Sequence, residues 1–203
     1  RMFSEGELQP VPVFVDSPLA VRTSQVFQKF TDLFDEETQQ FIREERHPAL
    51  NFKQLRYVQS ADESKWLILR DDPMIIISAS GMAETGRILH HLKNNIEDPN
   101  NTVCIVSWQA PNTLGRRLAD REKEVRIFGE EYTVRAEIAT IGGLSAHAGQ
   151  NMLVKYAQAA GPQLRQIFLV HGEQKSADAL SERLRQEVSA KVSYPDIGEE
   201  VDI

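Results

Sequence analysis

The distribution of apolar residues along the chain predicts strands and helices that alternate. Short runs rich in aliphatic residues predict strands at Val11–Asp16, Leu55–Gln59, Met74–Ala79, Thr102–Trp108 and Gln166–Val170. Apolar residues three or four positions apart predict helices over Leu19–Glu45 with a break near Asp35, and over Glu63–Leu69, Thr85–Ile96, Thr113–Glu122, Gln150–Ala159 and Ser176–Ser189. Ser176 is the predicted N-cap of the last helix. The alternation predicts an α/β fold with a mostly parallel sheet flanked by helices, because parallel strands need crossover connections.

One segment, Glu124–Ile141, breaks this alternation. Val125–Phe128 and Tyr132–Ile138 flank Gly129 and two glutamates, which predicts a β-hairpin. We place a domain boundary here, so the first predicted domain covers residues 10–122 and the second covers residues 123–203.

Composition excludes several classes of protein. The chain has 203 residues, of which 41% are hydrophobic and 26% are charged, so disordered, collagen-like and disulfide-rich classes are disfavoured. No apolar stretch reaches the roughly 18 residues that span a bilayer, and we expect a soluble, cytoplasmic chain without membrane association. The net charge of −7 argues against a bulk polyanion coat but allows a local basic groove.

The single cysteine lies in an apolar run. Cys104 is flanked by Val103 and Ile105, which predicts a buried thiol in a reducing compartment.

Polar residues follow three of the predicted strands. They are Asp16-Ser17-Pro18, Ser78–Met82 and His171-Gly172-Glu173. Ligands bind at the carboxyl ends of strands in open α/β sheets, so these ends predict a pocket. Each also has a structural interpretation: Asp16 as a cap or turn residue, Ser80–Met82 as a tight turn, and His171 as a satisfied structural histidine.

A fourth segment, Gly142–Ala148, combines a glycine pair with Ser145 and His147 just before a predicted helix. It offers backbone N–H donors and an ionisable ring at a helix start.

Taken in chain order, these segments resemble the β-CASP branch of the metallo-β-lactamase-fold nucleases. The resemblance rests on Asp16-Ser17-Pro18, Ser78–Met82 with His90-His91-Leu92, Trp108-Gln109-Ala110 with Thr113–Arg116, Gly142–Ala148, and Leu169–Glu173. It implies a β-CASP domain followed by the C-terminal, RNA-metabolising part of a metallo-β-lactamase αββα fold.

The resemblance also implies zinc. Family members hold two zinc ions mainly through a His-x-His-x-Asp-His motif in an N-terminal half, and this sequence has no His-x-His. The chain is thus expected to be a fragment whose partner is the N-terminal half of the same parent chain. Alone, it should bind little or no zinc and be inactive.

Roles for individual residues follow from the same resemblance. Asp16 is motif A and orients His147, which is motif B and acts as proton donor or phosphate ligand; His171 is motif C and a zinc ligand. The residues expected to contact substrate are Ser80, Gly81, Met82, Gly143, Ser145 and Arg116. Arg87 is a further groove candidate for which a solvated helix face is favoured, and His90 and His91 are interpreted as structural. The sequence departs from the family pattern at Ser107-Trp108, Leu144 and Gly149.

The leading hypothesis is a fragment of a zinc-dependent ribonuclease that cuts RNA, endo- or exonucleolytically, and leaves a 5′-phosphate. One alternative is a catalytically inactive family member that binds RNA or acts as a scaffold. The other is an unrelated mononucleotide-binding α/β module, although the chain has no G-x-G-x-x-G and no P-loop lysine. A homodimer is also possible.

Overall fold

A computed structural model describes residues 6–7, 9–45, 52–144 and 147–201 of the chain. Contacts divide the chain into two compact units, Arg1–Ser145 (unit 1) and Ala146–Ile203 (unit 2). This division falls after the predicted hairpin, whereas the proposed domain boundary near residue 123 was based on the sequence pattern and stays a prediction. The two units are described separately below.

Unit 1 begins with a three-stranded parallel sheet. Its strands are β1 (Val13–Asp16), β2 (Leu55–Tyr57) and β3 (Ile75–Ser78), in the order β2-β1-β3. The central strand β1 is buried at every position, as its uninterrupted apolar run predicted. Asp16 pairs with Ser78 in register, so the carboxyl ends of β1 and β3 lie side by side.

Helices connect these strands, and serine side chains cap the N-termini of two of them. Helix α1 (Pro18–Lys29) begins after Ser17, whose hydroxyl accepts the N–H of Ala20 at 3.3 Å. A short 3-10 turn separates it from α2 (Glu36–Glu45), which confirms the predicted break near Asp35. Helix α3 (Ala61–Ile68) then leads from β2 to β3.

The second half of unit 1 holds a parallel pair and a hairpin. Strands β4 (Thr102–Ile105) and β7 (Glu137–Thr140) pair in parallel, while β5 (Glu124–Ile127) and β6 (Glu130–Thr133) pair antiparallel. Helices α4 (Ile88–Asn95) and α5 (Leu114–Ala119) complete this half. A core with Ile96, Leu118, Val125 and Ile127 at its centre, all at most 1% exposed, holds these elements together.

The predicted hairpin is present, but its turn and its second strand are corrected: the turn is Phe128-Gly129, and Glu130 and Glu131, predicted to lie in the turn, belong to β6. Phe128 and Gly129 have φ values of 53° and 82°, the positive pair that a two-residue type I′ turn requires. The predicted second strand, Tyr132–Ile138, is split: its start belongs to β6 and its end to β7, which pairs with β4.

The thiol of Cys104 is exposed, so the prediction of a buried thiol is wrong. Strand β4 is covered on one face only: Val103 and Ile105 are half-buried, while Thr102 and Cys104 are exposed. The apolar run suggested a strand covered on both faces. The alternating burial along β4 instead places the sulfur of Cys104 on the exposed face.

Unit 2 is a small β-α-β element with a helix before it. Its elements are α6 (Gln150–Ala159), β8 (Gln166–Phe168), α7 (Gln174–Glu187) and β9 (Lys191–Ser193), and the two strands pair in parallel. Val154, Leu184 and Val192 form its buried core. Strand β9 was not predicted from the sequence.

Helix α7 begins earlier than predicted. Its N-cap is Glu173, whose backbone is extended and whose carbonyl accepts the N–H of Ser176. The proposed Ser176 cap is therefore wrong, since Ser176 lies inside the first turn.

The fold class is thus α/β, as predicted, but in the described residues the parallel strands form small separate sheets rather than one large sheet. None of the described helices combines the length and the apolar character that a bilayer crossing requires.

Candidate functional site

The Asp16 side chain lies at the carboxyl end of the central strand β1 and is fully buried, at 0% exposure. Its backbone carbonyl accepts the hydroxyl of Ser78 on the neighbouring strand at 3.0 Å. The adjacent strand ends predicted from the sequence are therefore joined by a side-chain hydrogen bond.

Three side chains donate hydrogen bonds to the Asp16 carboxylate. Ser64 Oγ and His91 Nε2 each lie 2.6 Å from Oδ2, and Arg87 Nη1 lies 2.6 Å from Oδ1. Burial by itself would raise the pKa of this carboxyl, but the bonds from Ser64, His91 and Arg87 outweigh it and hold the pKa below its ordinary value. We call these four residues the Asp16 cluster.

Of the Asp16 cluster, only Asp16 itself was predicted from the sequence to be a site residue. Arg87 was taken for a groove or surface residue, but its guanidinium also donates to the carbonyls of Val58 and Gln59 at 3.3 and 3.2 Å. His91 is buried, which agrees with its structural interpretation, and its Nδ1 has no hydrogen-bond partner in the described chain. The only sequence signal was an aspartate ending a buried strand, which cannot remain ionised without donors.

A carboxylate has about four acceptor positions, and this cluster fills three of them. If Asp16 orients His147, as proposed, the hydrogen bond between them would have to use the remaining acceptor position of the carboxylate. This orientation stays a prediction, because Asp16 belongs to unit 1 and His147 to unit 2.

The loop after β3 contains Ser80, Gly81 and Met82 and is closed by its own hydrogen bonds. Ser80 Oγ accepts the N–H groups of Glu84 and Thr85 at 3.2 and 3.3 Å. Gly86 closes the loop with a φ of 87°, and a Cβ atom there would lie 2.6 Å from the carbonyl oxygen of Ala79. Only glycine fits this position without a shift of the backbone.

Gln109 joins this loop to the one that follows β4. Its Nε2 lies 2.9 Å from the carbonyl oxygen of Gly81, 3.1 Å from that of Ser107 and 3.3 Å from that of Trp108. Because carbonyl oxygens surround this atom, the amide must present its nitrogen there.

Gly115, at the start of α5, makes this arrangement possible. Its N–H donates to the carbonyl of Met82 at 2.9 Å. A Cβ on Gly115 would lie 1.8 Å from Gln109 Oε1, so no side chain can be added without displacing the amide. The structure therefore brings Ser80, Gly81 and Met82 together with the helix that carries Arg116.

The remaining predicted residues lie at exposed positions or outside the described part. Arg116 is half-buried and pairs with Asp120 at 2.8 Å. Gly143 is exposed in a 3-10 turn, and Ser145 lies outside the described residues. His147 is exposed ahead of α6.

His171 is exposed just after β8 and has a φ of 62°. Such a φ is uncommon for a residue other than glycine, although histidine tolerates it better than bulky or β-branched residues do.

These residues do not make up a zinc site by themselves. Structural and catalytic zinc sites use three or four protein ligands, and the described part of the chain has no group of three histidine, cysteine or acidic side chains that could hold a metal ion. His171 can offer one imidazole, and that role stays a prediction.

Comparison with known proteins identifies both parts of the chain. A family model described as the Beta-Casp domain matches residues 1–118, and one described as the Zn-dependent metallo-hydrolase RNA specificity domain matches residues 131–195.

Several relatives are similar over most of this chain. Ribonuclease TTHA0252 of Thermus thermophilus is 36% identical over 93% of this chain and 43% of its own length. Transcription termination factor FttA of Cenarchaeum symbiosum is 26% identical over 98% of this chain and 31% of its own length. An RNase J-like protein of Methanocaldococcus jannaschii is 30% identical over 83% of this chain and 37% of its own length.

This chain therefore spans less than half the length of each of these relatives. The matches exclude the unrelated mononucleotide-binding module. Because the Beta-Casp model covers more than half of the residues and the ribonuclease relative matches nearly all of them, the chain belongs to the β-CASP family.

Proposed function

We propose that the protein carrying this chain hydrolyses RNA phosphodiester bonds and that this chain supplies part of the catalytic and RNA-binding surface. The single observation that carries the proposal is the pair of family matches, Beta-Casp followed by the RNA specificity domain, in one chain. A ribonuclease among the relatives, similar over 93% of the chain, supports it. Unit 2 then corresponds to the C-terminal part of a metallo-β-lactamase fold.

In this proposal His147 handles the proton or the phosphate. Breaking a phosphodiester leaves a negatively charged oxygen, and a positioned imidazole can protonate it or stabilise charge on the phosphoryl oxygens. His147 is exposed and precedes the start of α6, where substrate can reach it.

His171 is proposed as one ligand of a zinc site completed by residues outside this chain. Zinc agrees with the description of the matched RNA specificity domain as Zn-dependent. Exposure of His171 leaves its ring nitrogens accessible to such a site.

The test uses the complete protein that carries this chain, end-labelled RNA, and zinc analysis of each variant. We expect His147→Ala to lose cleavage by about 100-fold or more while zinc content is kept, and His171→Ala to lose both. His90→Ala is the matched control: His90 is exposed and its ring packs at a tilt against Phe128, with ring centroids 4.9 Å apart, so cleavage should be unchanged. Undiminished cleavage by His147→Ala would contradict the proposed role.

The isolated chain provides a second test. Since its described residues hold no metal cluster, we expect the 203-residue chain alone to show no cleavage of the same RNA. Robust cleavage by the isolated chain would rule out a site shared with another segment.

A second function, RNA binding without cleavage, is favoured by a different observation. Several relatives, including those of Cenarchaeum symbiosum and Methanothermobacter thermautotrophicus, are named transcription termination factors rather than ribonucleases. Tight RNA binding by the complete, zinc-loaded protein with no cleavage would select this function over hydrolysis.

A further inference from the structure

Trp108 presents an uncovered aromatic surface next to the Ser80–Met82 loop. Its side chain is 55% exposed, although the next residue, Gln109, is only 4% exposed. Within the described residues the indole makes no ring contact, cation–π contact or hydrogen bond. Both faces of such an indole are open to contact with a ligand as far as the described residues are concerned.

The other tryptophan provides a comparison. Trp66 is 52% exposed, but the Arg70 guanidinium lies 4.5 Å from its ring centroid, and Arg70 in turn pairs with Asp72. Its exposed ring therefore serves the local structure of unit 1. Trp108 has the same exposure without such a partner in the described chain.

The backbone that carries Trp108 is fixed in place. Its carbonyl oxygen and that of Gly81 accept hydrogen bonds from the same Gln109 nitrogen, at 3.3 and 2.9 Å. Gly115 packs so closely against the Gln109 amide that this side chain has little freedom to move. An aromatic ring on a rigid loop loses less conformational entropy on binding than one on a mobile loop.

The surroundings suit a nucleotide. The backbone N–H groups of Gly81 and Met82 donate no hydrogen bond to any described residue, and Gln109 joins the backbone of their loop to that of Trp108. Every nucleobase has a flat face that stacks on an aromatic ring, and the attached phosphate or ribose can accept from N–H groups.

We propose that Trp108 is a stacking platform for one base of single-stranded RNA, held beside the Ser80–Met82 loop by Gln109. This inference rests on the proposed RNA-related function and adds a specific contact to it. The partner is a nucleobase, and the contact does not depend on base identity, because stacking uses the face and not the edge of the base.

The test measures binding of fluorescein-labelled single-stranded RNA with cleavage-resistant linkages to the complete, zinc-loaded protein, so that binding is measured without cleavage. Because stacking on one aromatic ring is worth a factor of about 5 to 150 in affinity, Trp108→Ala should raise the Kd by that factor. Trp108→Tyr should restore the Kd to within about threefold of the original. Trp66→Ala, the equally exposed control, should leave it unchanged.

Two further measurements identify the contact as stacking. The slope of log Kd against log salt should be the same for Trp108→Ala and the unsubstituted protein, because no phosphate contact is lost. In a series of RNAs that each lack one base, one position should weaken binding to the unsubstituted protein but not to Trp108→Ala.

The outcomes separate this inference from the function on which it rests. If the unsubstituted protein binds RNA and Trp108→Ala binds equally well, the stacking platform is refuted and the proposed function stands. If the unsubstituted protein does not bind RNA, both are refuted. If Trp108→Ala changes only the oligomeric state, the ring contacts a second copy of the protein, and the inference is wrong.

Discussion

The Asp16 carboxylate connects four elements of unit 1. Asp16 ends strand β1. Its carboxylate accepts hydrogen bonds from Ser64 of α3, from His91 of α4 and from Arg87, the residue before α4. Its backbone carbonyl accepts the hydroxyl of Ser78 of β3. Because the side chain is 0% exposed, water cannot replace any of these partners. A charge in this position is stable only while its donors remain in place.

Removing the carboxylate should therefore destabilise unit 1 severely. We expect Asp16→Ala to lower the free energy of unfolding by about 3–5 kcal/mol, since Arg87 is left without its buried counter-charge. Urea unfolding measures this loss. Asp71→Ala, at an exposed position, is the control and should change stability by less than about 0.5 kcal/mol; equal effects of the two substitutions would show that the cluster contributes nothing.

The same carboxylate should make stability depend on pH in a defined direction. Its pKa is lower in the folded protein than its ordinary value, so the folded state binds the proton less readily than the unfolded state. The stabilisation is therefore fully present above about pH 4–5 and is lost as the pH falls through the folded-state pKa.

Asp16→Asn isolates this contribution, because asparagine does not titrate. We expect the difference in unfolding free energy between the original protein and Asp16→Asn to be constant from pH 7 to about pH 5 and to shrink below about pH 4. Urea unfolding at each pH measures it. A difference that stays the same down to pH 3 would assign the acid sensitivity to other groups.

The sequence could identify Asp16 but not the rest of its cluster. A carboxylate that ends an apolar strand is unusual enough to be noticed. Ser64, Arg87 and His91 lie 48, 71 and 75 residues further along the chain, so no local pattern links them to it. Their relation arises only when α3 and α4 pack against the sheet.

At the scale of elements, helix starts show where local signals succeed. Helix α3 begins with a capping box: the Ser60 hydroxyl accepts the N–H of Glu63 at 3.1 Å, and the Glu63 carboxylate accepts the N–H of Ser60 at 3.3 Å. Helix α7 has no side-chain cap, because the side chain of Glu173, its N-cap residue, accepts no capping hydrogen bond from the first turn. A serine near a helix start is thus informative only if it is the last extended residue.

This difference can be tested with two matched substitutions. Ser60→Ala should lower the free energy of unfolding by about 1 kcal/mol, because an N-terminal N–H group loses its acceptor. Ser176→Ala should cause no loss, since Ser176 is inside α7 and alanine is the better helix former. Thermal unfolding of both variants decides the matter: a greater loss from Ser176→Ala would mean that the helix begins where the sequence suggested.

The strands show where local signals fail. The segment from Tyr132 to Ile138 has the pattern of one strand, but the N–H groups of Arg135 and Ala136 both donate to the carbonyl of Ile96 and divide it. The second piece, β7, pairs with β4. At the start of this pairing Glu137 lies opposite Thr102, which is 35 residues earlier in the sequence. Pairing between distant segments cannot be inferred from alternation within one of them.

At the scale of the whole molecule, each hydrophobic core lies within one unit. The core around Ile96 and Leu118, and the two beside β1, contain only residues of unit 1. The core around Val154 contains only residues of unit 2. Burial of apolar surface drives folding, so unit 1 has what it needs to fold by itself.

A chain that ends at Ser145 should therefore fold. We expect residues 1–145 to unfold cooperatively in urea, and Asp16→Ala to destabilise this shorter chain as much as it does the longer one, because Ser64, Arg87 and His91, which donate to the carboxylate, are all in unit 1. Circular dichroism follows both transitions. The control is residues 1–118, which lack β5, β6 and β7 and with them the core residues Val125, Ile127, Ala136 and Ile138, and should not unfold cooperatively. Cooperative folding of the shorter segment but not of residues 1–145 would contradict the division into units.

The order of motifs along the whole chain carried information that no single motif did. Asp16-Ser17-Pro18 or Ser80-Gly81-Met82 alone is compatible with a turn, but the succession indicated the β-CASP family, and the family matches confirm it. The limits of the compact units did not follow from this order, because the hairpin β5–β6 packs against α4 and α5 of the preceding residues. Family boundaries reflect sequence similarity, whereas compact units reflect packing.

The Gln109 amide has one more consequence. The sheet of β1, β2 and β3 and the sheet of β4 and β7 share no strand among the described residues, so backbone pairing does not set the gap between their carboxyl ends. Paired strands are always about 4.8 Å apart, but a gap spanned by a side chain varies with the length of that side chain. Glutamine, asparagine and alanine at position 109 would therefore form a graded series in which the distance between the loop after β3 and the loop after β4 changes while both sheets keep their internal geometry.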